Sequence, residues 1–212
     1  LEYSYNESIT ITPRNYPFSF RKYKTLYTHY ALIGTAYVVD NYPLYYDATN
    51  EKGLSMAGLN FPSYADYKPE DLTKDNITPF ELIPWILGQC ASVTEAREFL
   101  SRINLLNENY NNELPLSPLH WIIADRNSSI TVESVKEGLL VYDNPVGVLT
   151  NSPTFDMQML NLNNYMGLTS NFPKNNFAPG LELHRYSNGM GAIGMPGDWS
   201  SQSRFVKASF VK

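Results

Sequence analysis

The alternation of apolar and polar residues predicts short β-strands in the first third of the chain. Residues 8–12 read Ser-Ile-Thr-Ile-Thr, a period-two pattern that Pro13 ends, which is typical of a half-buried strand. Turn-forming residues at 41–43 and 50–53 separate the apolar segments that follow. These segments cover residues 30–39, 44–48 and 54–60. Such a succession of strands and turns predicts an antiparallel meander.

A helical pattern replaces the alternation after residue 77. Thr78 and Glu81 form a capping box, and Pro84, about one turn later, kinks the helix or delays its start. Residues 92–95 repeat the capping box and predict a second helix that ends near residue 102. We expect both helices to cover one face of the sheet.

Strands resume in the second half of the chain, and they are followed by helices. The strands are predicted over residues 120–124, 129–135, 139–142 and 146–149. One helix is predicted over residues 157–165, and another is capped by Ser200. Helices between two antiparallel meanders indicate the α+β class, with two sheets stacked face to face between helical layers.

Composition narrows the class of protein. The 212 residues are 43% hydrophobic, which is enough for a packed core. The net charge of -5, with 16 scattered basic residues, argues against nucleic acid as a partner. Neither a membrane-length apolar run nor an export leader is visible, and the single cysteine excludes an internal disulfide, so a cytoplasmic protein is expected.

Aromatic residues are abundant, at 14% of the chain, and 16 of them are tyrosines. Tyrosine combines flat apolar area with a polar tip, so an excess can line a pocket for a large amphipathic ligand. It can equally cover a half-exposed sheet. Both interpretations remain open at this point.

Two asparagines stand where apolar segments end. Asn151 follows the run Gly-Val-Leu-Thr and precedes Pro153, so its carboxamide is predicted to lie at a strand end and to point into a cleft. A carboxamide donates hydrogen bonds without titrating, as a developing oxyanion requires. Asn60 also ends an apolar segment, which suggests that both amides serve one site. The alternative for Asn151 is an ordinary turn in which the side chain binds local backbone groups.

Three other candidate residues have neighbours that indicate their roles. Arg204 is flanked by Phe205 and Val206, so we expect it to be partly buried and to face an anion. Cys90 ends an apolar helix, which favours a buried thiol acting as a small hydrophobic residue over a nucleophile. His120 lies in an apolar strand and is interpreted as a packed, hydrogen-bonded core residue.

Two familiar kinds of site lack support. The string Gly-Met-Gly-Ala-Ile-Gly at 189–194 matches a dinucleotide fingerprint, but no parallel strand precedes it and Pro196 follows it. The three histidines are far apart in sequence and have no metal-type neighbours at ligand spacing. Neither a nucleotide site nor a metal site is therefore predicted from these motifs.

Six segments together resemble one known family. In chain order they are Asn-Glu-Lys-Gly-Leu (50–54), Ala-Gly-Leu-Asn-Phe (57–61), Pro-Leu-Ser-Pro-Leu-His-Trp (115–121), Gly-Val-Leu-Thr-Asn-Ser-Pro-Thr-Phe (147–155), Gly-Met-Pro-Gly-Asp (194–198) and Ser-Arg-Phe (203–205). They resemble the choloylglycine hydrolases, which comprise bacterial bile salt hydrolases and penicillin V acylases. The resemblance covers essentially the whole chain.

The resemblance implies a single αββα domain of the N-terminal-nucleophile type over residues 1–212. In such enzymes a cysteine at the mature N-terminus attacks an amide while its own α-amine acts as the base. By resemblance, Asn151 supplies a side-chain donor to the oxyanion, Asn60 supplies its main-chain N–H, and Arg204 stabilises the charge of the nucleophile. The family also implies a homotetramer without metal or cofactor.

The chain departs from the family at both ends. The family's nucleophilic cysteine lies upstream of the position that matches Leu1, and a C-terminal portion is missing as well. Cys90 cannot replace the nucleophile, because it has no free α-amine. Two alternatives follow. The chain is either part of a working enzyme or a catalytically inactive ligand-binding fragment, and the intact motifs favour the first.

The substrate is also implied by resemblance. Members that prefer bile salts carry asparagine at the position of Asn60, whereas several members that prefer penicillin V carry tyrosine there. We therefore expect hydrolysis of the amide between a bile acid and glycine or taurine, with penicillin V acylase as the alternative. The residues that would line the steroid pocket are Leu1, Tyr5, Tyr46, Tyr110 and Leu114, although each also fits ordinary sheet or loop packing.

Overall fold

A computed structural model describes residues 6–212 of the chain. Leu1 and Tyr5, which were predicted to line a substrate pocket, lie outside the described residues. The chain divides into two compact units, Leu1–Ser152 and Pro153–Lys212. The single hydrolase domain over residues 1–212 stays a prediction.

The first unit is built on an antiparallel sheet of seven strands. In chain order the nine strands of the described residues are β1 (Ser8–Thr12), β2 (Leu32–Val39), β3 (Tyr42–Asn50), β4 (Ser55–Asn60), β5 (Asp75–Ile77), β6 (Ile103–Leu105), β7 (Leu119–Ala124), β8 (Ser129–Val135) and β9 (Gly138–Asp143). The large sheet has the order β1-β2-β3-β4-β7-β8-β9, and β5 and β6 form a separate parallel pair. The two predicted meanders are thus joined edge to edge, because β4 pairs with β7.

The turn between β2 and β3 differs from the prediction. Residues 41–43 were predicted to form it, but Tyr42 and Pro43 already belong to β3 and pair with β2. The turn consists of Asp40 and Asn41, both with positive φ (50° and 62°). Two left-handed residues form the tight hairpin turn whose twist matches that of the flanking strands. Asp and Asn tolerate this conformation better than most residues.

The strand predicted at residues 146–149 is wrong. After β9 the chain forms a loop, and the carboxamide of Asn144, which is 3% exposed, fixes its shape. Its nitrogen donates to the Thr131 hydroxyl oxygen (3.0 Å) and to the Val148 carbonyl oxygen (2.9 Å). Its oxygen accepts from the Gly147 N–H (2.8 Å). These bonds take the place of a strand ladder.

Four α-helices of two or three turns complete the described residues. They are α1 (Leu82–Gln89), α2 (Val93–Leu100), α3 (Phe155–Leu162) and α4 (Ser201–Val211). A 3₁₀ turn, Pro79–Glu81, precedes α1, so Pro84 lies in the first turn of α1, where its missing N–H costs nothing. The predicted second helix is confirmed, and the Ser92 hydroxyl oxygen accepts from the Glu95 N–H at its start (3.2 Å).

The core of the first unit lies between α1 and the sheet. Helix α1 is apolar all round and packs against β3. The largest fully buried side chains of this core are Phe18, Leu32, Leu54, Met56, Ile77, Leu82, Trp85, Ile86 and Trp121. Large aromatic and branched side chains in such contact supply most of the free energy of folding through removal of apolar surface from water.

The second unit contains α3, α4 and a long connection without strands. The rings of Phe155 and Phe205 pack edge to face at 6.1 Å, and the Gln158 amide donates to the Ser201 hydroxyl (3.2 Å). The predicted cap of the last helix is confirmed, because the Ser200 hydroxyl oxygen accepts from the Ser203 N–H (3.3 Å).

The predicted α+β class is confirmed by these helices and antiparallel strands. Within residues 6–212 there is one large antiparallel sheet, and the only other sheet is the β5–β6 pair. In the same residues, every helix is too short or too polar to cross a membrane.

Asn50, at the end of β3, ties the sheet to the end of α1. Its buried carboxamide nitrogen donates to the carbonyl oxygens of Leu87 (2.8 Å) and Cys90 (2.7 Å). Its oxygen accepts from the N–H groups of Lys52 (3.0 Å) and Leu54 (3.1 Å). One side chain thus satisfies four main-chain groups, two of which end a buried helix.

We expect Asn50→Ala to lower the free energy of unfolding by about 3 kcal/mol, because buried main-chain groups lose their partners without water to replace them. Urea denaturation followed by circular dichroism measures this change. Asn127→Ala is the matched control, since Asn127 is exposed in the β7–β8 turn. An Asn50 variant as stable as this control would contradict the assignment.

Candidate active site

A cavity of about 640 Å³ lies on one face of the sheet in the first unit. Its lining includes Tyr46, Tyr110 and Leu114, three of the residues predicted for a substrate pocket, together with Asn60. The structure therefore brings one predicted polar residue and three predicted apolar or aromatic residues to one place. The lining is mainly apolar, as in most small-molecule sites.

Strands β4 and β7 form the floor of the cavity through Gly58 and Trp121. The two residues are paired across the strands, and the Trp121 indole lies under the Gly58 Cα. A Cβ on residue 58 would lie 3.1 Å from Trp121 Nε1. A side chain at this position would require the indole to shift by a few tenths of an ångström, and glycine allows the close approach without that shift.

An aromatic wall stands on one side of the cavity. The rings of Phe80 and Tyr110 meet edge to face at 5.1 Å, and the Arg21 guanidinium lies 4.8 Å and 5.5 Å from their centroids. Arg21 also donates to the carbonyl oxygens of Asn109 and Tyr110. Burial raises the pKa of the Tyr110 hydroxyl above its ordinary value. Cation–π contact and hydrogen bonds together fix this wall.

The two predicted amides meet at the edge of the cavity lining. The Asn151 carboxamide nitrogen donates to the Asn60 carbonyl oxygen (2.9 Å), and the next hydroxyl along, Ser152 Oγ, donates to the Pro62 carbonyl oxygen (2.9 Å). Asn151 therefore lies in a loop that is held against the end of β4, and not at the end of a strand as predicted. The structure thus brings the two asparagines into direct contact, and their shared catalytic role stays a prediction.

Strand geometry shows where the Asn60 N–H points. The Phe61 N–H donates to the Pro118 carbonyl oxygen (2.8 Å), on the side of β4 that faces β7. Because main-chain groups alternate along a strand, the N–H and C=O of Asn60 point to the opposite side. On that side β3 no longer pairs with β4, because Ala57 is the last residue of β4 that has a partner in β3. The Asn60 N–H and the Asn151 amide are thus on the same side of the strand end.

His120 is a buried, hydrogen-bonded residue, as predicted. It is 0% exposed, and its Nδ1 lies 2.9 Å from Glu133 Oε1 on the neighbouring strand β8. Its Nε2 lies 2.7 Å from the carbonyl oxygen of Thr150, the residue before Asn151. The predicted core role is confirmed, and the contact with Thr150 links His120 to the candidate site.

Arg204 lies on α4 in the second unit. It is half-buried and directly precedes the buried residues Phe205 and Val206, which confirms the predicted partial burial. Its Nε donates to the Trp199 carbonyl oxygen (3.2 Å). Its predicted role in stabilising the charge of a nucleophile stays a prediction.

Cys90 is a buried free thiol at the end of α1, as predicted. Burial raises the pKa of this thiol to about 12, so it is protonated at neutral pH. A protonated, buried thiol is a poor nucleophile. In the described residues 6–212, no group of three or more His, Cys, Asp or Glu side chains is placed to hold a metal ion.

Sequence reasoning missed two residues of the cavity, Phe80 and Trp121, and the residue Arg21 that supports its aromatic wall. Phe80 was interpreted only as part of a helix start, and Trp121 only as part of a strand and of the segment 115–121. Arg21 lies 88 residues before its partner Asn109, and nothing in the local pattern pairs them. The high aromatic content was the one available signal, since it favoured either a pocket or a half-exposed sheet.

Comparison with known proteins identifies the class. Residues 1–212 match the family described as linear amide C-N hydrolases, choloylglycine hydrolase family. The chain belongs to this family. Within it, the chain is 60% identical over 211 residues to the bile salt hydrolase/transferase of Lactiplantibacillus plantarum, covering 100% of this chain and 65% of that protein.

Two solved structures of other proteins have a similar fold. A crystal structure of a variant of the conjugated bile acid hydrolase of Clostridium perfringens matches with a TM-score of 0.87 and 42% identity, covering 99% of this chain and 65% of that one. The penicillin V acylase of Agrobacterium tumefaciens shares the fold, with a TM-score of 0.70, 21% identity, and coverage of 97% and 56%. The chain thus spans about 65% of the length of each of these two bile acid enzymes.

The state of Cys90 can be measured by its reactivity. We expect an aromatic disulfide reagent at pH 8 to leave Cys90 of folded residues 1–212 unmodified, because its thiol is buried and protonated. One equivalent should react once guanidinium unfolds the chain, since the chain has 1 cysteine. Rapid labelling of the folded chain would show that the thiol is accessible.

Proposed function

We propose that this protein hydrolyses the amide bond of bile salts conjugated to glycine or taurine. The observation that carries the proposal is the meeting of Asn60 and Asn151 at an apolar cavity of about 640 Å³. The names of the two related bile acid enzymes support the substrate class. The nucleophile is an N-terminal cysteine, as the family resemblance implies.

The cavity suits a steroid because of its size and its walls. Pockets for ligands of this kind have volumes of roughly 300–1,000 Å³ and mainly apolar linings with few polar groups. Tyr46, Tyr110 and Leu114 line the cavity and supply aromatic and aliphatic area for such a ligand. Flat aromatic rings bury the faces of a fused ring system at little entropic cost.

The two asparagines suit the acyl end of the substrate. Attack on an amide carbonyl places negative charge on its oxygen, and donors that are already oriented toward that position lower the barrier. The Asn60 main-chain N–H and the Asn151 amide provide such donors on one side of the strand end. The role of stabilising the charge of the nucleophile is assigned to Arg204 by resemblance alone.

Penicillin V acylase remains the second candidate function. The A. tumefaciens acylase shows a common fold only, at 21% identity. Asn60 favours bile salts, because several members of the family that prefer penicillin V carry tyrosine there by the same resemblance. The cytoplasmic location and the homotetramer implied by the family belong to the proposal as well.

The test of the proposal uses the complete enzyme, which begins at the N-terminal cysteine that the family resemblance implies. We expect glycocholate or taurocholate to be cleaved with a kcat/KM at least about tenfold above that of penicillin V, since the pocket and its polar groups select the acyl part. Release of glycine or taurine is followed by amine detection or mass spectrometry. Residues 1–212 alone are the control, because their one cysteine is the buried Cys90.

Three outcomes separate the candidate functions. Preferred cleavage of penicillin V would replace the first function by the second. Binding of bile salts without cleavage by the complete enzyme would favour the inactive ligand-binding alternative. Full activity of residues 1–212 alone would contradict the assignment of the nucleophile.

Asn151→Ala is expected to lower kcat by roughly 10²–10³-fold with a smaller effect on KM, because one donor to the oxyanion is lost. Steady-state kinetics with glycocholate measures both constants. Asn127→Ala again serves as the matched exposed control. An unchanged kcat would show that the Asn151 amide only shapes a turn, which was the alternative derived from the sequence.

A further inference from the structure

We infer that His120 is a positioning residue that sets the distance and orientation of the two asparagine donors. This inference rests on the proposed function, since it concerns the same site. His120 does not line the cavity and has no exposed surface. Its effect therefore acts through its neighbours and not through contact with a substrate.

The imidazole contacts the chain next to both asparagines. Its Nε2 lies 2.7 Å from the carbonyl oxygen of Thr150, which directly precedes Asn151. Its ring stacks on the ring of Phe61, which directly follows Asn60, with centroids 4.2 Å apart and planes 8° apart. One rigid ring thus links the residue after one donor to the residue before the other.

The hydrogen bonds fix where the protons lie. A carbonyl oxygen only accepts, so Nε2 must carry a hydrogen that it donates to Thr150. Nδ1 and Glu133 Oε1 are 2.9 Å apart and share a second hydrogen bond, in which either Nδ1 or the carboxyl group is the donor. Glu133 is also 0% exposed. With both nitrogens engaged and Phe61 against its face, the ring has one orientation.

The loop has no strand ladder, and side-chain hydrogen bonds locate it. Asn144 binds it at Val148, and Ser152 binds the Pro62 carbonyl oxygen. Asn151 binds the Asn60 carbonyl oxygen, and the His120 imidazole adds the contact at Thr150. Thr150 is 6% exposed, so water does not readily replace a lost donor to its carbonyl oxygen. A shift of about 1 Å in a catalytic group can cost roughly 10²-fold in rate.

Two substitutions at His120 separate positioning from stability. In glutamine the amide nitrogen reaches the place of Nε2, so His120→Gln keeps the donor to Thr150. In asparagine the amide nitrogen reaches only the place of Nδ1, so His120→Asn keeps the contact with Glu133 and loses Thr150. Both variants lose the aromatic stack on Phe61, which makes them a matched pair.

We expect His120→Asn to lower kcat roughly 10²-fold with KM near that of wild type, and His120→Gln to recover most of the loss. Kinetics are measured with glycocholate on the complete enzyme, and thermal melting gives the folded fraction of each variant. A purely structural role would lower both activities in step with stability. Equal losses in the two variants, or unchanged kcat in His120→Asn, would overturn the inference.

Glu133 provides a second test if His120→Asn does not fold. Glu133→Gln can still bind Nδ1 and is expected to keep kcat near wild type, whereas Glu133→Ala removes the partner that orients the ring and should lower kcat. Equal activity of these two variants would contradict the inference. Failure of the proposed function is distinguishable, since the wild-type enzyme itself would then leave conjugated bile salts intact.

Discussion

The hydrogen bond from the Asn151 carboxamide to the Asn60 carbonyl oxygen is the contact on which the candidate site depends. It spans 91 residues and joins a loop to the end of a strand. The strand end is itself fixed, because Asn60 pairs with Leu119 and the Phe61 N–H binds the Pro118 carbonyl oxygen. The sheet therefore supplies a rigid reference, and the loop is located relative to it.

The sequence predicted the elements of the fold best where a local pattern decides the structure. Strand β1 has the predicted bounds, since strict alternation and a following proline leave little freedom. The apolar run at 146–149 has the same local character as a strand, but the Asn144 side chain binds its backbone instead. Strands β5 and β6 were missed, because each has three residues and depends on a partner far along the chain.

Local patterns singled out some residues of the candidate site, but they did not predict the contacts between residues that are far apart along the chain. Asn60 and Asn151 were recognised as a pair because both end apolar segments, and the structure does bring them together. Tyr46 and Tyr110 likewise line one cavity. The contacts that hold these residues were not predictable, because a local pattern gives no information on which carbonyl oxygen His120 meets across a tertiary contact.

Buried polar side chains complete this arrangement in a way that apolar packing cannot. Asn50, Asn144 and His120 are each less than 5% exposed, and each donates to carbonyl oxygens outside the strand ladders. Burial of apolar surface is non-directional, so it holds a loop against the core without fixing its position along the surface. Hydrogen bonds are directional, and an unmade one is costly in a buried place. We therefore attribute the placement of the loop that carries Asn151 to the directional bonds of Asn144 and His120, and not to apolar packing alone.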